Sequence, residues 1–305
     1  MKKRLTRFLP FLLAFTIALP SYSVFAEEEN QAKETQTNET NKTQADETTA
    51  NDTLSLAAET AVLIDAASGE ILYDKDADKK MYPASITKLM TILLALENGK
   101  LTDEITFSHD AVYNIEPGSA HIAILEGETL TLEQVLRAII LRSANEASNG
   151  VAEYVDGSVE AFAKHMTERA KELGCTNTNF VNANGLFDEN HYTTAHDMAL
   201  IARELLKHEE YRSMMSETDY KIPPTNLQTE TRYLHGQHQM LNPNSIYYYK
   251  DAIGGKTGYT VEAGNTLVTY AERDGLTLIA VVMKCNGAEH YTDTAALFDY
   301  GFANY

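Results

Sequence analysis

Three short segments hold side chains able to do acyl-transfer chemistry: Ser85-Ile86-Thr87-Lys88, Ser143-Ala144-Asn145 and Lys256-Thr257-Gly258. Ser85 stands just after Pro83 at the head of a run through Ile86, Leu89, Met90, Ile92, Leu93, Leu94 and Leu96. That run is apolar on nearly every face, so the helix expected here lies inside the protein. Lys88 follows one turn on, and an unpartnered buried ammonium is expensive. Either Lys88 snorkels to the surface and Ser85 is an ordinary N-cap, or the lysine is used. A lysine that is desolvated and near a second cation has a lowered pKa, and its neutral amine can take the proton of a hydroxyl on the same helix face. Lys256 can be the second cation. The free N–H groups at a helix start favour negative charge developing on Ser85.

Ser143 and Asn145 fall in a break between two helices, where side chains can point into a cleft. A hydroxyl there can relay a proton to a leaving amine, and a carboxamide can bind a substrate amide and steady Lys88. "GGKTGYT" reads as an edge strand. Lys256 and Thr257 bring positive charge and a hydroxyl, Gly258 clears space for a substrate backbone, and the N–H of Tyr259 can join that of Ser85 as an oxyanion hole.

The elements that must position these residues are legible around them. "ETAVLIDAASGEILYDKD" is a hairpin with Ser68-Gly69 in its turn, and the apolar helix from Ser85 ends near Gly99. "TLEQVLRAIILRSANEASNGVAEYV" opens with a capping box, Thr131 with Gln134. Its helix ends close to Ser143, and another begins near Glu146. Two further helical segments follow, the second with Thr193 or Thr194 as N-cap beside His191 and His196. "NTLVTYAERDGLTLIAVVMKC" is a second hairpin turning at Arg273-Asp274-Gly275, and an amphipathic helix closes the chain. Strands at both ends with helices between predict an α+β fold, an antiparallel sheet built from both chain ends and packed against a helical region.

The chain has 305 residues and a formal charge of −19. Its first 26 residues have a basic start, a short apolar run interrupted by Pro20, and small residues before the acidic "EEE", the pattern of a cleaved secretory signal peptide. Loss of its four basic residues takes the charge to −23, which disfavours nucleic acid and anionic membrane as partners. Residues 27–53, rich in Thr, Asn, Gln and Glu, read as a solvated tether, and 54–305 as the folded domain. Two cysteines, Cys175 and Cys285, make no disulfide framework; a single bridge and two buried thiols both remain open. His235 and His238 form a His-x-x-His pair, but no third ligand is evident, so no metal is expected. The tyrosine run 247–249 reads as strand packing.

On the three motifs together, the chain resembles the serine-type D-alanyl-D-alanine carboxypeptidases among the low-molecular-mass penicillin-binding proteins, with a β-lactamase/transpeptidase-like fold. "VLIDAASGEILYDKDADKKMYPASITKLMT", "NTNFVNANGLFDENHYTTAHDMALIAR", "GGKTGYTVEAGNTLV" and "LFDYGF" extend the likeness from about Thr60 to Phe302. The resemblance implies Ser85 as the acylated nucleophile, Lys88 as its base, Ser143 and Asn145 as the proton-relay pair, and Lys256 with Thr257 as binders of the substrate's terminal carboxylate. The implied substrate is a peptidoglycan stem pentapeptide ending in D-Ala-D-Ala, with penicillins acylating the same serine as mimics; no cofactor is expected, and the signal peptide puts the work outside the cytoplasmic membrane. Relatives often carry an arginine before the last helix to help hold the carboxylate; here the segment is "EHYTDT", and His290 is the residue available to stand in. Many members also carry a C-terminal β-rich domain and an amphipathic anchor, neither of which is expected in this chain. Glu146 replaces the more common Asp after the second motif.

Two rivals share the fold. A β-lactamase of class A uses a glutamate to activate the deacylating water, and no Glu-x-x-Leu-Asn segment lies between the first and third motifs. A non-catalytic wall-binding protein would not need all three motifs intact.

Overall fold

Alternating side chains make each strand of the expected sheet two-faced, and the computed structural model, which describes residues 54–305, uses both faces. The expected signal peptide and tether lie outside the described residues. In chain order the strands are β1 (Thr60–Asp65), β2 (Ile71–Lys75), β3 (Glu104–Thr106), β4 (Thr129–Thr131), β5 (Asp219–Ile222), β6 (Arg232–His235), β7 (Ala252–Thr260), β8 (Gly264–Arg273) and β9 (Leu276–Cys285). The helices are α1 (Lys88–Asn98), α2 (His109–Tyr113), α3 (Leu132–Arg142), α4 (Asn145–Asp156), α5 (Val159–Glu172), α6 (Ala195–Leu205), α7 (Glu209–Met214) and α8 (Glu289–Asn304), with 3-10 turns at Ala84–Thr87 and Gln239–Leu241.

The main sheet has the order β2-β1-β9-β8-β7, antiparallel throughout, so strands from both chain ends meet in it. Val62, Ile64, Val268, Tyr270, Ile279 and Val281 face a core shared with α1, α3 and α6. Their neighbours Leu63, Leu267, Leu278, Ala280 and Val282 face Leu297 and Phe298 of α8. The β8–β9 turn is as short as its residues demand: Asp274 and Gly275 both have positive φ, 51° and 86°, the conformation of a tight two-residue hairpin. β7 is left at the sheet edge.

The helices that carry the second motif end for local reasons. Thr131 and Gln134 form the expected capping box at the start of α3, and Ser143 ends that helix with φ 57°. α4 then starts at Asn145, one residue earlier than its sequence pattern suggests. Two other expectations are revised. The helix expected from Ser85 begins as a 3-10 turn and becomes α-helical only at Lys88, with no side chain spent as a cap at Pro83 or Thr87; Ser85 is therefore not an N-cap. The tyrosine run precedes β7 rather than lying in a strand: Tyr247 stacks on Tyr291 and the Tyr249 hydroxyl donates to Asp299. Cys175 and Cys285 are both free and buried, and burial pushes both thiols up. No helix among the described residues is long and apolar enough to cross a membrane.

The segment between α2 and β4 is tied to the distant β6 by a carboxylate. Glu128, its side chain fully buried, accepts both arms of Arg232 at 2.6 and 2.7 Å, the Thr225 hydroxyl at 2.7 Å and the Leu125 N–H at 2.9 Å. Burial alone would raise this carboxyl, but those bonds outweigh it and hold it low. Arg232→Ala strands the charge and is expected to cost about 3–5 kcal/mol. The measurement is urea unfolding, read as a lower midpoint at unchanged slope; an unchanged midpoint would refute the role given to this pair.

Candidate active site

Lys88 is 0% exposed, yet its Nζ has three partners: Ser85 Oγ at 2.9 Å, Asn145 Oδ1 at 2.8 Å and the backbone carbonyl of Asn184. Burial pushes the ammonium well below its ordinary pKa, the nearby Lys256 pushes the same way, and Glu146 opposes them. Two of the three partners can only accept. A neutral amine has two N–H donors and one lone pair, so with Asn145 and Asn184 taking the hydrogens, the lone pair is left for the hydroxyl of Ser85. That arrangement can deprotonate a serine.

The turn carrying Ser85 is held from several sides. The Thr266 hydroxyl of β8 donates to the Pro83 carbonyl at 2.8 Å. Ala84 adopts φ 50°, a strained left-handed conformation for a residue with a Cβ. Gly185, at φ 84°, lies so close that an added Cβ would stand 1.9 Å from the Ala84 carbonyl oxygen, so this position demands glycine. His191, buried and held neutral by burial with a pKa lowered to about 3, accepts the Val181 N–H at Nδ1 and therefore donates from Nε2 to Thr87 Oγ1 at 2.8 Å. Thr91 donates to the Ala183 carbonyl at 2.6 Å. The 181–185 segment is thus fastened along the first turns of the Ser85 helix.

The other motifs converge on the same place. Ser143 is buried in its left-handed conformation, and its Oγ has no hydrogen-bond partner. Asn145 opens α4 and reaches Lys88. Lys256 on β7 is 2% exposed; its Nζ donates to the Thr257 carbonyl at 2.8 Å, and burial lowers its pKa to about 7. A Cβ on Gly258 would lie 2.3 Å from Thr266 Oγ1, 2.9 Å from Ser85 N and 3.1 Å from Ile86 N, so the glycine lets the face of β7 pack against the start of the Ser85 turn; the space it clears is filled by that turn rather than, as expected from the sequence, left for a substrate backbone. The first N–H groups of such a turn lack intrahelical acceptors. Thr257 is half-buried and Tyr259 is 64% exposed.

His290 sits in the first turn of α8 with its Nδ1 buried and unpartnered, and no hydrogen bond joins it to the motif residues. His238 packs behind β7, its Nε2 3.0 Å from Thr269 Oγ1, while His235 pairs with Asp219. Among the described residues no three His, Cys, Asp or Glu side chains converge to hold a metal ion. Sequence reasoning missed three parts of the site. The Asn184 carbonyl is backbone, which carries no residue signature, although the turn-rich "NANG" marks an irregular segment. His191 was expected beside a helix cap; Thr194 does cap α6, but His191 braces Thr87. Glu146 reads in the sequence only as a replacement for Asp, and no local pattern signals its burial.

Known proteins resemble this chain in sequence and fold. The family model of D-alanyl-D-alanine carboxypeptidases matches residues 44–287. The D-alanyl-D-alanine carboxypeptidase DacF of Bacillus subtilis is 36% identical over 83% of this chain and 64% of its own length. DacA of Haemophilus influenzae, also a D-alanyl-D-alanine carboxypeptidase, is 32% identical over the whole chain and 72% of its own length. The chain thus spans about two thirds of the length of these relatives. Among solved structures, a Streptomyces DD-transpeptidase superposes with a TM-score of 0.76 at 26% identity, over 82% of this chain and 98% of that one. With the family match running through all three motifs, this chain belongs to the D-alanyl-D-alanine carboxypeptidases.

Proposed function

We propose that residues 54–305 form a serine D-Ala-D-Ala carboxypeptidase that removes the terminal D-Ala from peptidoglycan stem pentapeptides. The observation that carries this reading is the fully buried Lys88, whose two fixed acceptors leave its lone pair for Ser85. Ser85 Oγ attacks the carbonyl of the penultimate D-Ala as Lys88 takes its proton. The tetrahedral oxyanion sits between the N–H groups of Ser85 and Tyr259. Collapse breaks the peptide bond, Ser143 relays a proton to the departing D-Ala amine, and water then hydrolyses the ester to free Ser85. The substrate backbone adds as a strand to the open edge of β7. Lys256 and Thr257 hold its terminal carboxylate, with His290 as a secondary contributor. β-Lactams acylate the same serine. We place this work outside the cytoplasmic membrane, with residues 1–26 as signal peptide and 27–53 as tether.

A transpeptidase is the second reading, favoured by the likeness to the Streptomyces DD-transpeptidase. Both reactions use one acyl-enzyme and differ in whether water or an amine resolves it. Supplying an amino-acid acceptor with the pentapeptide separates them: free D-Ala with tetrapeptide marks hydrolysis, an exchanged peptide marks transfer.

Ser85→Ala is expected to lower D-Ala release by about 10⁴-fold or more and to abolish labelling by a fluorescent penicillin. A variant that still releases D-Ala refutes Ser85 as the nucleophile.

The pH profile follows from the two lysines. Lys88 must be neutral to act as base, so activity rises as pH climbs through its lowered pKa. Lys256 must be charged to hold a carboxylate, so binding in the free enzyme weakens above about pH 7. A bell-shaped kcat/KM is expected, and a peptide whose terminal carboxylate is amidated should lose the alkaline limb. If both peptides show the same alkaline limb, Lys256 is not the carboxylate's partner.

A further inference from the structure

One of the two acceptors that fix Lys88 is a backbone carbonyl in an irregular segment, and such a carbonyl needs something to aim it. Residues 182–186 lie in no helix or strand, and asparagine side chains stand in for a backbone ladder there. Asn182 Oδ1 accepts the N–H groups of Asn184 and Gly185 at 3.3 and 2.7 Å, and its Nδ2 donates to the Leu186 carbonyl at 2.9 Å. Asn184 is 4% exposed; its Oδ1 accepts the Leu186 N–H at 3.0 Å, and its Nδ2 donates to Oδ1 of Asn149 at 3.2 Å.

Asn149 belongs to α4 and is 2% exposed. It stands one turn beyond Asn145, on the same helical face. Its Nδ2 donates to the carbonyls of Ala111 and Asn114 at 3.3 and 3.4 Å, at the end of α2, where the last carbonyls lack intrahelical donors. Those carbonyls only accept, so the Asn149 amide has one orientation, with its NH2 toward α2 and its oxygen toward Asn184. The Leu186 N–H only donates, which fixes the Asn184 amide in turn. The bonds therefore run in a single sense from α2 through Asn149 to Asn184, whose carbonyl accepts from Lys88. Asn149 itself makes no hydrogen bond to Lys88 or Ser85.

We propose that Asn149 and Asn184 are positioning residues for Lys88, their side-chain bond aiming the Asn184 carbonyl at Nζ. α4 thereby holds the amine twice, directly through Asn145 and at one remove through Asn149. The inference rests on Lys88 acting as base toward Ser85, as in the carboxypeptidase reading. A neutral amine with both hydrogens fixed presents its lone pair in one direction. Once the carbonyl turns away, one hydrogen is free, the amine rotates about its last bond, and the lone pair spends less time on Ser85. The consequence is kinetic: Ser85 is acylated more slowly at each intact site.

The test compares Asn149→Leu, Asn184→Ala and the double variant with the wild-type chain. Asn149→Leu fills a similar volume without the bonds, and Asn184→Ala keeps the backbone carbonyl while removing the side chain that orients it. The readout is the rate constant of acylation by a fluorescent penicillin, taken per site that the penicillin titrates at completion, so misfolded protein does not count. Each single variant should be acylated about 10–100-fold more slowly. The double variant should be no slower than the slower single, since both changes break one bond. Per-site rates that stay at the wild-type value, even with a lowered melting temperature, show that the asparagines serve the fold alone and overturn the proposal. Losses that multiply in full in the double variant overturn it as well. A wild-type chain that penicillin fails to acylate overturns the carboxypeptidase reading and the positioning role with it. If Asn149→Leu yields no titratable protein, Asn149→Ala takes its place, with the same outcomes for and against.

Discussion

The site depends on keeping one amine dry. Lys88 is wholly buried, and a protonated amine there would have to be compensated in full. The fold instead surrounds it with two pure acceptors and one hydroxyl, a set that suits the neutral form as well as the charged one. Each partner comes from a different part of the chain: the hydroxyl from the turn ahead of α1, the carboxamide from the start of α4, and the carbonyl from the irregular segment before α6. Holding these three together is what the surrounding contacts do, from the Thr266 bond to Pro83 through the close approach of Gly185 to Ala84.

That assembly has a conformational cost, and it falls beside the proposed reacting groups. Ala84 and Ser143, neither of them glycine, both take left-handed backbone conformations, each worth roughly 1–3 kcal/mol of strain. Ser143 moreover leaves a buried hydroxyl without a partner. Such features persist only where the surroundings over-determine them, and here a capped helix, a packed sheet and the Glu128–Arg232 pair hold the walls. The open edge of β7 is a second unsatisfied feature. An exposed strand edge invites association, and in this protein it belongs to the strand whose face packs on the turn that carries Ser85.

Burial lowers the proton affinity of both lysines, and the nearby Lys256 adds to the effect on Lys88. Glu146 works in the opposite sense on Lys88 without touching it. The pair of lysines therefore holds opposite proposed duties at neutral pH, one as a base and one as an anchor for an anion. In the proposed reaction a substrate carboxylate on Lys256 would reinforce this division by stabilising the charge there.

Much of this was legible in the sequence because the signals are local. The spacing of Ser85 and Lys88 places them on one helical face, the capping box fixes where α3 begins and so where Ser143 falls, and alternation with Asp274-Gly275 defines the β8–β9 hairpin. The same patterns established the α+β class and the sheet made from both chain ends. Local pattern failed where the determinant was long-range or had no side-chain signature. The sequence distances from Lys88 to Asn184 and from Thr87 to His191 are 96 and 104 residues, and the first of these contacts uses a backbone oxygen that any residue would supply. Whether Glu146 faces water or the interior was equally undetermined, since burial depends on what packs over it. Residue type and spacing thus determined which groups could do the chemistry. Tertiary packing alone decided which of them lost their water, and loss of water is what shifts a lysine toward its neutral form.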